Sequence, residues 1–293
     1  MLSYITIGRN DNYGGAFDFR LRKSLDHNFA LLNQYEVPFE MIFVEWNPIK
    51  EKQLLSERLI GWYPSADIKC YVCDSSVHDF YLNQRETKVK FFEYHAKNVG
   101  LKRASMPFSL LTNSDILLSD IVINQLLNIV PCSPSNCVFR ATRLDCDLGD
   151  VSESDILGEE LLNNRVVNVN KITPPLFSNA SGDFALGRTD CLQELTGYDE
   201  KITTTVLHQD SRFLLNARAN SCMIIPLGHI YHFDHDNSFN KMGDAKPGLG
   251  DADWGKMQQN IPFVNKTWGL DAEDGFTETK ISERMWKIKK ETT

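Results

Sequence analysis

The sequence predicts an α/β fold of three layers, with helices on both faces of a mixed, mostly parallel sheet. Two observations carry this. Strand-like apolar runs alternate with segments of helical periodicity through the first half of the chain, and polar side chains stand where each run stops. Such alternation implies helical crossovers and parallel pairing, which puts the strand ends on one rim.

The elements follow in order. "YITIGRND" (Tyr4–Asp11) reads as a first strand and its loop. In "FRLRKSLDHNFALLNQY", Phe19, Leu25, Phe29 and Leu32 fall at helical spacing. "FEMIFVEWNP" is a second strand, stopped by Asn47-Pro48, and "KEKQLLSERLIGWY" a second helix. "DIKCYVC" is a third strand and "KFFEYHAKNVGLKRA" a third helix. "FSLLTNSDILLS" is a fourth strand that breaks at Asn113-Ser114-Asp115 and starts again. Beyond it, "VFRATRLDC" reads as a strand and "GDVSESDILGEELL" as an acidic loop entering a helix. "ASGDFALGRTDCLQEL" reads as strand then helix, "DSRFLLNARAN" as a helix, and "CMIIPLGHIYHF" as a strand. One domain over residues 1–235 is expected, its halves meeting near residue 120. Residues 236–293, rich in Gly, Asp, Asn and Trp, are expected to form an extension or lid on that domain.

The composition narrows the function. The chain has 293 residues, enough for a substantial core, and a formal net charge of -8. That charge argues against nucleic acid as a partner. No apolar run reaches the roughly 18 residues of a membrane span, and no signal pattern opens the chain. A cytoplasmic protein is expected, with peripheral membrane contact left open. Seven scattered cysteines include the CxxC of Cys70 and Cys73. In a strand those thiols point to opposite faces, so buried reduced thiols are expected rather than a metal or redox site.

The chemistry gathers at the strand ends. Arg9, Asn10 and Asp11 follow the first strand, Glu45 and Asn47 end the second, Asp74 follows the third, and Asn113 and Asp115 interrupt the fourth. Ligands of open α/β sheets collect on such a rim. The usual dinucleotide and P-loop glycine patterns are missing. "HIYHFDHDNS" holds His229, His232 and His235. Read as a continuous strand, it turns His229 and His235 one way and His232 the other. Trp254 and Trp268 are candidates for stacking on sugar rings or for the core, and Arg9, Lys102 and Arg103 for phosphate.

In this order and spacing, four stretches resemble the GT-A glycosyltransferases, in particular the family 2-like nucleotide-sugar enzymes. They are "YITIGRNDN", "NVGLKRASMPFSLLTNSDI", "ASGDFALGRTDCLQELTGYDE" and "HQDSRFLLNARAN". The resemblance implies transfer of a sugar from a nucleotide-diphosphate donor to a hydroxyl of a glycan, lipid-linked or small-molecule acceptor, with inversion. It implies that Thr6, Gly8, Arg9, Asn10, Asp11, Glu45, Asn113 and Ser114 line the nucleotide site. Asn113-Ser114-Asp115 stands where the family has Asp-x-Asp, so Asp115 becomes a ligand to Mn²⁺ or Mg²⁺, with His232 or His235 as the third metal ligand. Asp210 becomes the base and Asp183 an acceptor contact; a helix cap is the other reading of Asp210, and a turn hydrogen bond that of Asp115. Asn113 and Gln209 replace acids of the family pattern, which keeps a non-catalytic sugar- or nucleotide-binding protein as the rival. A nucleotidyltransferase ranks lower, since "GRNDNYGG" carries one basic residue.

Overall fold

A computed structural model describes residues 1–83, 89–180, 182–202, 208–235 and 261–291. Strand β1 (Leu2–Gly8) is joined by helix α1 (Phe17–Gln34) to β2 (Phe39–Trp46), and α2 (Leu55–Trp62) leads to β3 (Ile68–Cys73). Helices α3 (Ser75–Asn83) and α4 (Glu93–Lys102) return the chain to β4 (Phe108–Thr112), which breaks before β5 (Ile116–Leu118). The second half carries α5 (Asp120–Asn128), β6 (Cys137–Cys146), α6 (Glu159–Asn164), β7 (Val166–Asn170), β8 (Phe184–Arg188) and α7 (Thr189–Glu194). It continues through α8 (Gln209–Ala219), β9 (Met223–Phe233), β10 (Phe276–Ser282) and β11 (Met285–Lys290).

All these strands join one mixed sheet in the order β10-β11-β3-β2-β1-β4-β8-β6-β9-β5, with β7 paired to β6. The run β11-β3-β2-β1-β4 is parallel throughout. Strands β1 to β4 are buried on both faces, which is why they read as near-continuous apolar runs. Tyr4, Met41, Phe43 and Cys70 pack with Leu21, Leu25 and Leu59 on one face. Ile5, Ile42, Val44 and Cys73 pack with Val99, Leu214 and Leu192 on the other. The two CxxC thiols thus lie on opposite faces as free cysteines, and burial pushes the Cys70 thiol up to about 12. Among the described residues, no helix is long and apolar enough to cross a membrane.

Several elements are not marked by the sequence pattern: α3, α5, β7, β10 and β11. Strand β7 is largely exposed, Val167 and Val169 included, and Asn168 and Asn170 reach Asp145 through their amides. The described end of the tail forms the β10–β11 edge of the sheet beside β3. Residues 236–260, the start of the expected lid, and Trp254 within it lie outside the described residues. Trp268 is buried under Lys102. Lys102 and Arg103 pair with Asp271 and Glu278, so both bind the tail rather than a phosphate.

Glu200 ties this tail to α4. Its carboxylate accepts from Asn98 Nδ2 (2.9 Å), Gly269 N (2.8 Å) and Tyr81 Oη (3.3 Å). Burial nevertheless pushes its carboxyl up to about 7. For an acid held above its unfolded value the sign is clear: no cost below the unfolded pKa, a growing cost as pH rises toward 7, and a full cost above it. Glu200→Gln is therefore expected to raise Tm by several degrees at pH 8 and to leave it nearly unchanged at pH 4. An unchanged Tm at both values contradicts this.

Candidate active site

The break between β4 and β5 builds the site. β4 stays with β1 and β8, while β5 leaves to pair with β9, setting Ile116 opposite His232. β9 in turn pairs with β6, setting His232 opposite Asp145. Three sheet neighbours thus deliver Asp115, His232 and Asp145 to one spot, although far apart in sequence.

Asp115, His232 and His235 converge so that one ligand atom from each lies within 4.8 Å of the others. Asp115 Oδ2 is 3.1 Å from His235 Nε2 and 3.9 Å from His232 Nε2. The expectation that the two histidines face apart is corrected here. β9 ends at Phe233, so strand alternation stops before His235. His229 instead contacts Tyr231 Oη at 3.0 Å, away from the cluster.

Arg20 closes one side. Its side chain is buried, Nε lies 3.7 Å from Asp115 Oδ2, and its terminal nitrogens donate to Gly15 O and Tyr13 O. The loop after β1 is therefore clamped against the cluster. Gly14 sits there at φ +66°, where an added Cβ would lie 2.5 Å from His235 Nδ1, so only glycine fits. Burial alone would push the Asp115 carboxyl up. The His235 hydrogen bond and the charges of His232, His235 and Arg20 outweigh it and hold that carboxyl far below the usual range. One carboxylate and two imidazoles are a donor set that fits a divalent cation.

Polar contacts lead from the cluster toward Asp183 and Asp210. Asp145 Oδ1 lies 3.0 Å from His232 Nδ1 and 2.9 Å from Arg143 Nε. Arg143 also donates to Asp183 Oδ2 at 2.6 Å, and Asn113 Nδ2 donates to Asp183 Oδ1 at 2.7 Å. Gly182 N then donates to Asp210 Oδ2 at 2.9 Å. Beside this loop, Lys97 Nζ bonds both Glu93 Oε1 (2.7 Å) and Gly182 O (2.6 Å). Burial pushes the Glu93 carboxyl up against the pull of Lys97, helped by the nearby charges of Asp183 and Asp210. Asp210 lies within the first turn of α8, whose N-cap is His208, so it is not the cap residue.

Asn113 now has a physical reason. With Asp183 accepting from it at 2.7 Å, an aspartate at this position would set two carboxylates at contact distance. Asn113→Asp is thus expected to lower Tm at pH 7 and to lose that effect at pH 3, where one of the two carboxyls takes a proton. Thermal melts at the two pH values check this; an unchanged Tm at pH 7 contradicts it.

The other strand-end residues make contacts within the fold. Glu45 is fully buried and accepts from Leu55 N, Ser56 N and Ser56 Oγ, fixing the start of α2. Leaving those donors unpaired would cost roughly 1–3 kcal/mol each. Asn10 spends its amide on the carbonyls of Ile49 and Gln53 and on Ile49 N. Asp74 holds Ser76 N and Lys287, and Asn47 donates to Lys90 O. Thr6 is buried within β1, and a side chain at Gly8 would meet Phe43, Leu55 and Phe17. Arg9 reaches Asn47 O and Asp11 at the loop surface, and Ser114 is buried in the turn between β4 and β5. The sequence reading missed Arg20, Glu93, Lys97, Arg143, Asp145, Asn168 and Asn170. Arg143 and Asp145 carried one signal, an i, i+2 charge pair on one face of a strand.

No protein-family model and no curated protein matches the chain. Solved structures do. GalNAc-T7, crystallised with UDP, GalNAc and Mn²⁺, superposes with a TM-score of 0.50 at 11% identity, covering 80% of this chain and 44% of that one. The catalytic domain of Drosophila β1,4-galactosyltransferase 7, in complex with xylobiose, gives 0.49 at 12%, covering 100% and 94%. Mannosyltransferase PcManGT from Pyrobaculum calidifontis, with GDP-Man and Mn²⁺, gives 0.47 at 14%, covering 88% and 60%. The chain therefore spans only 44% and 60% of the length of two of these proteins. At such identities the likeness speaks for the fold, and the fold of this chain is the GT-A fold of glycosyltransferases.

Proposed function

We propose that this chain is a glycosyltransferase that moves a sugar from a nucleotide-diphosphate donor to an acceptor hydroxyl, with inversion and with a divalent cation. The observation that carries the reading is the convergence of Asp115, His232 and His235 at the break between β4 and β5. Those three residues would hold the cation. Two imidazoles beside one carboxylate suit Mn²⁺ better than Mg²⁺, which prefers oxygen ligands. When bound, the cation supplies positive charge to the diphosphate leaving group.

The chain's own residues do the rest. Arg9 and Asp11, on the loop after β1, and Asn113 and Ser114, in the β4–β5 turn, are the remaining candidates for the nucleotide. Thr6, Gly8, Asn10 and Glu45 shape the wall behind them. On the acceptor side, Asp210 takes the proton of the attacking hydroxyl and Asp183 binds the acceptor. This ranking has a physical basis. Asp183 is already shared between Arg143 and Asn113, so a proton arriving there would break an ion pair. Asp210 is partly exposed and accepts from the backbone at Gly182 and Ser211.

The rival, a sugar- or nucleotide-binding protein without turnover, draws on Gln209. Its side chain is buried and donates to Ile202 O where the family pattern has an acid. The test is nucleotide release from a panel of UDP- and GDP-sugars with Mn²⁺ and candidate acceptors. Release that depends on both metal and acceptor is expected. Tight donor binding without release selects the rival.

A further inference from the structure

We propose that Asp145 is a positioning residue for His232, fixing the proton on Nδ1 so that Nε2 presents its lone pair to the cation; this rests on the metal reading above. Asp145 is nearly buried and takes every contact as an acceptor. Its Oδ1 lies 3.0 Å from His232 Nδ1, while its Oδ2 accepts from Asn168 Nδ2 at 2.8 Å and Asn170 Nδ2 at 2.7 Å. Arg143 Nε is a further 2.9 Å neighbour of Oδ1. A carboxylate so surrounded by donors is held as an acceptor, so the proton between it and the ring belongs to Nδ1. A neutral imidazole carries one N–H, which leaves Nε2, the nitrogen on the Asp115 side, as the free donor atom.

The same arrangement gives β7 a task. Asn168 and Asn170 alternate with the exposed Val167 and Val169, and both asparagine amides reach Asp145 Oδ2. Arg143 extends the arrangement, because it also grips Asp183 at 2.6 Å. One guanidinium therefore sets the spacing between the histidine's support and the acceptor-side acid.

The substitutions separate orientation from mere packing. Asp145→Asn keeps an oxygen for Nδ1–H, and Asn168 and Asn170 can rotate their amides to meet its new NH₂. Asp145→Ala removes the acceptor. The first readout needs no variant and no metal: ¹⁵N-histidine NMR of the metal-free protein at alkaline pH, with the His232 signal assigned through His232→Gln. The ring is expected to carry its proton on Nδ1. The second readout is Mn²⁺ calorimetry. Asp145→Ala is expected to lose about 10- to 100-fold in affinity, and Asp145→Asn to stay within about threefold of the parent, as for supports of metal-bound histidines. A ring protonated on Nε2, or an Asp145→Ala protein that binds Mn²⁺ like the parent, overturns the proposal. A parent protein with the Nδ1 proton in place that binds no Mn²⁺ overturns the metal reading itself, and this role falls with it.

Discussion

Asp115→Asn is expected to abolish cation-dependent binding of the proposed nucleotide-sugar donor. The substitution keeps the shape of the side chain but removes the charge that faces His232, His235 and Arg20. Affinity for Mn²⁺ is expected to fall by about two orders of magnitude or more, since a neutral amide oxygen replaces the anionic ligand of the cluster. Donor affinity in Mn²⁺ should then drop to its metal-free value. The fold is expected to survive with reduced stability, because the buried Arg20 guanidinium loses its partner. The pH dependence has a definite sign. A carboxyl held below its unfolded value stabilises the fold above that value, and the contribution is lost as pH falls through the native one. Asp115→Asn should therefore flatten the acid limb of the stability curve. Unchanged donor affinity in Mn²⁺ rules out this placement of the site.

Asp210→Asn has the second largest expected effect. If Asp210 takes the acceptor proton, the variant folds and binds donor like the parent but transfers sugar slower by roughly two orders of magnitude or more, the usual scale for a lost general base. Asp183→Asn, measured beside it, should mainly raise the acceptor KM. Asp183 holds Arg143 and Asn113, and Asp210 holds the backbone of the preceding Gly182, so each variant also needs a thermal melt to exclude a folding defect. Loss of turnover in Asp183→Asn with turnover kept in Asp210→Asn would reverse the two roles. Little effect from either would remove the inverting mechanism and favour a retaining enzyme or a binding protein.

The layered sheet was legible because strands β1 to β4 are buried on both faces and α1 between them shows an apolar stripe. Local pattern is enough for that. The turn at Asn113–Asp115 was legible too, since an apolar run that stops on an amide and a carboxylate has few bland explanations. What local pattern cannot carry is register. Asp145 meets His232 only because β9 lies between β5 and β6, and Arg20 meets Asp115 only because α1 packs against β5. The same limit explains Glu45 and Asn10. Both stand at strand ends, as rim ligands would, but each finds backbone donors or acceptors in the segment that follows β2. His235 shows a different limit. Strand parity assigns its direction only while the strand lasts, and β9 ends before it.

In the proposed enzyme, Asp115, His232 and His235 hold a cation against the donor's phosphates. Anomalous scattering from crystals grown with Mn²⁺ and a nucleoside diphosphate would locate that ion. One Mn²⁺ peak is expected, bounded by the Asp115 carboxylate and the Nε2 atoms of His232 and His235, with diphosphate oxygens completing its shell. A nucleotide bound with no Mn²⁺ at these three residues, or Mn²⁺ bound elsewhere on the sheet rim, would contradict it.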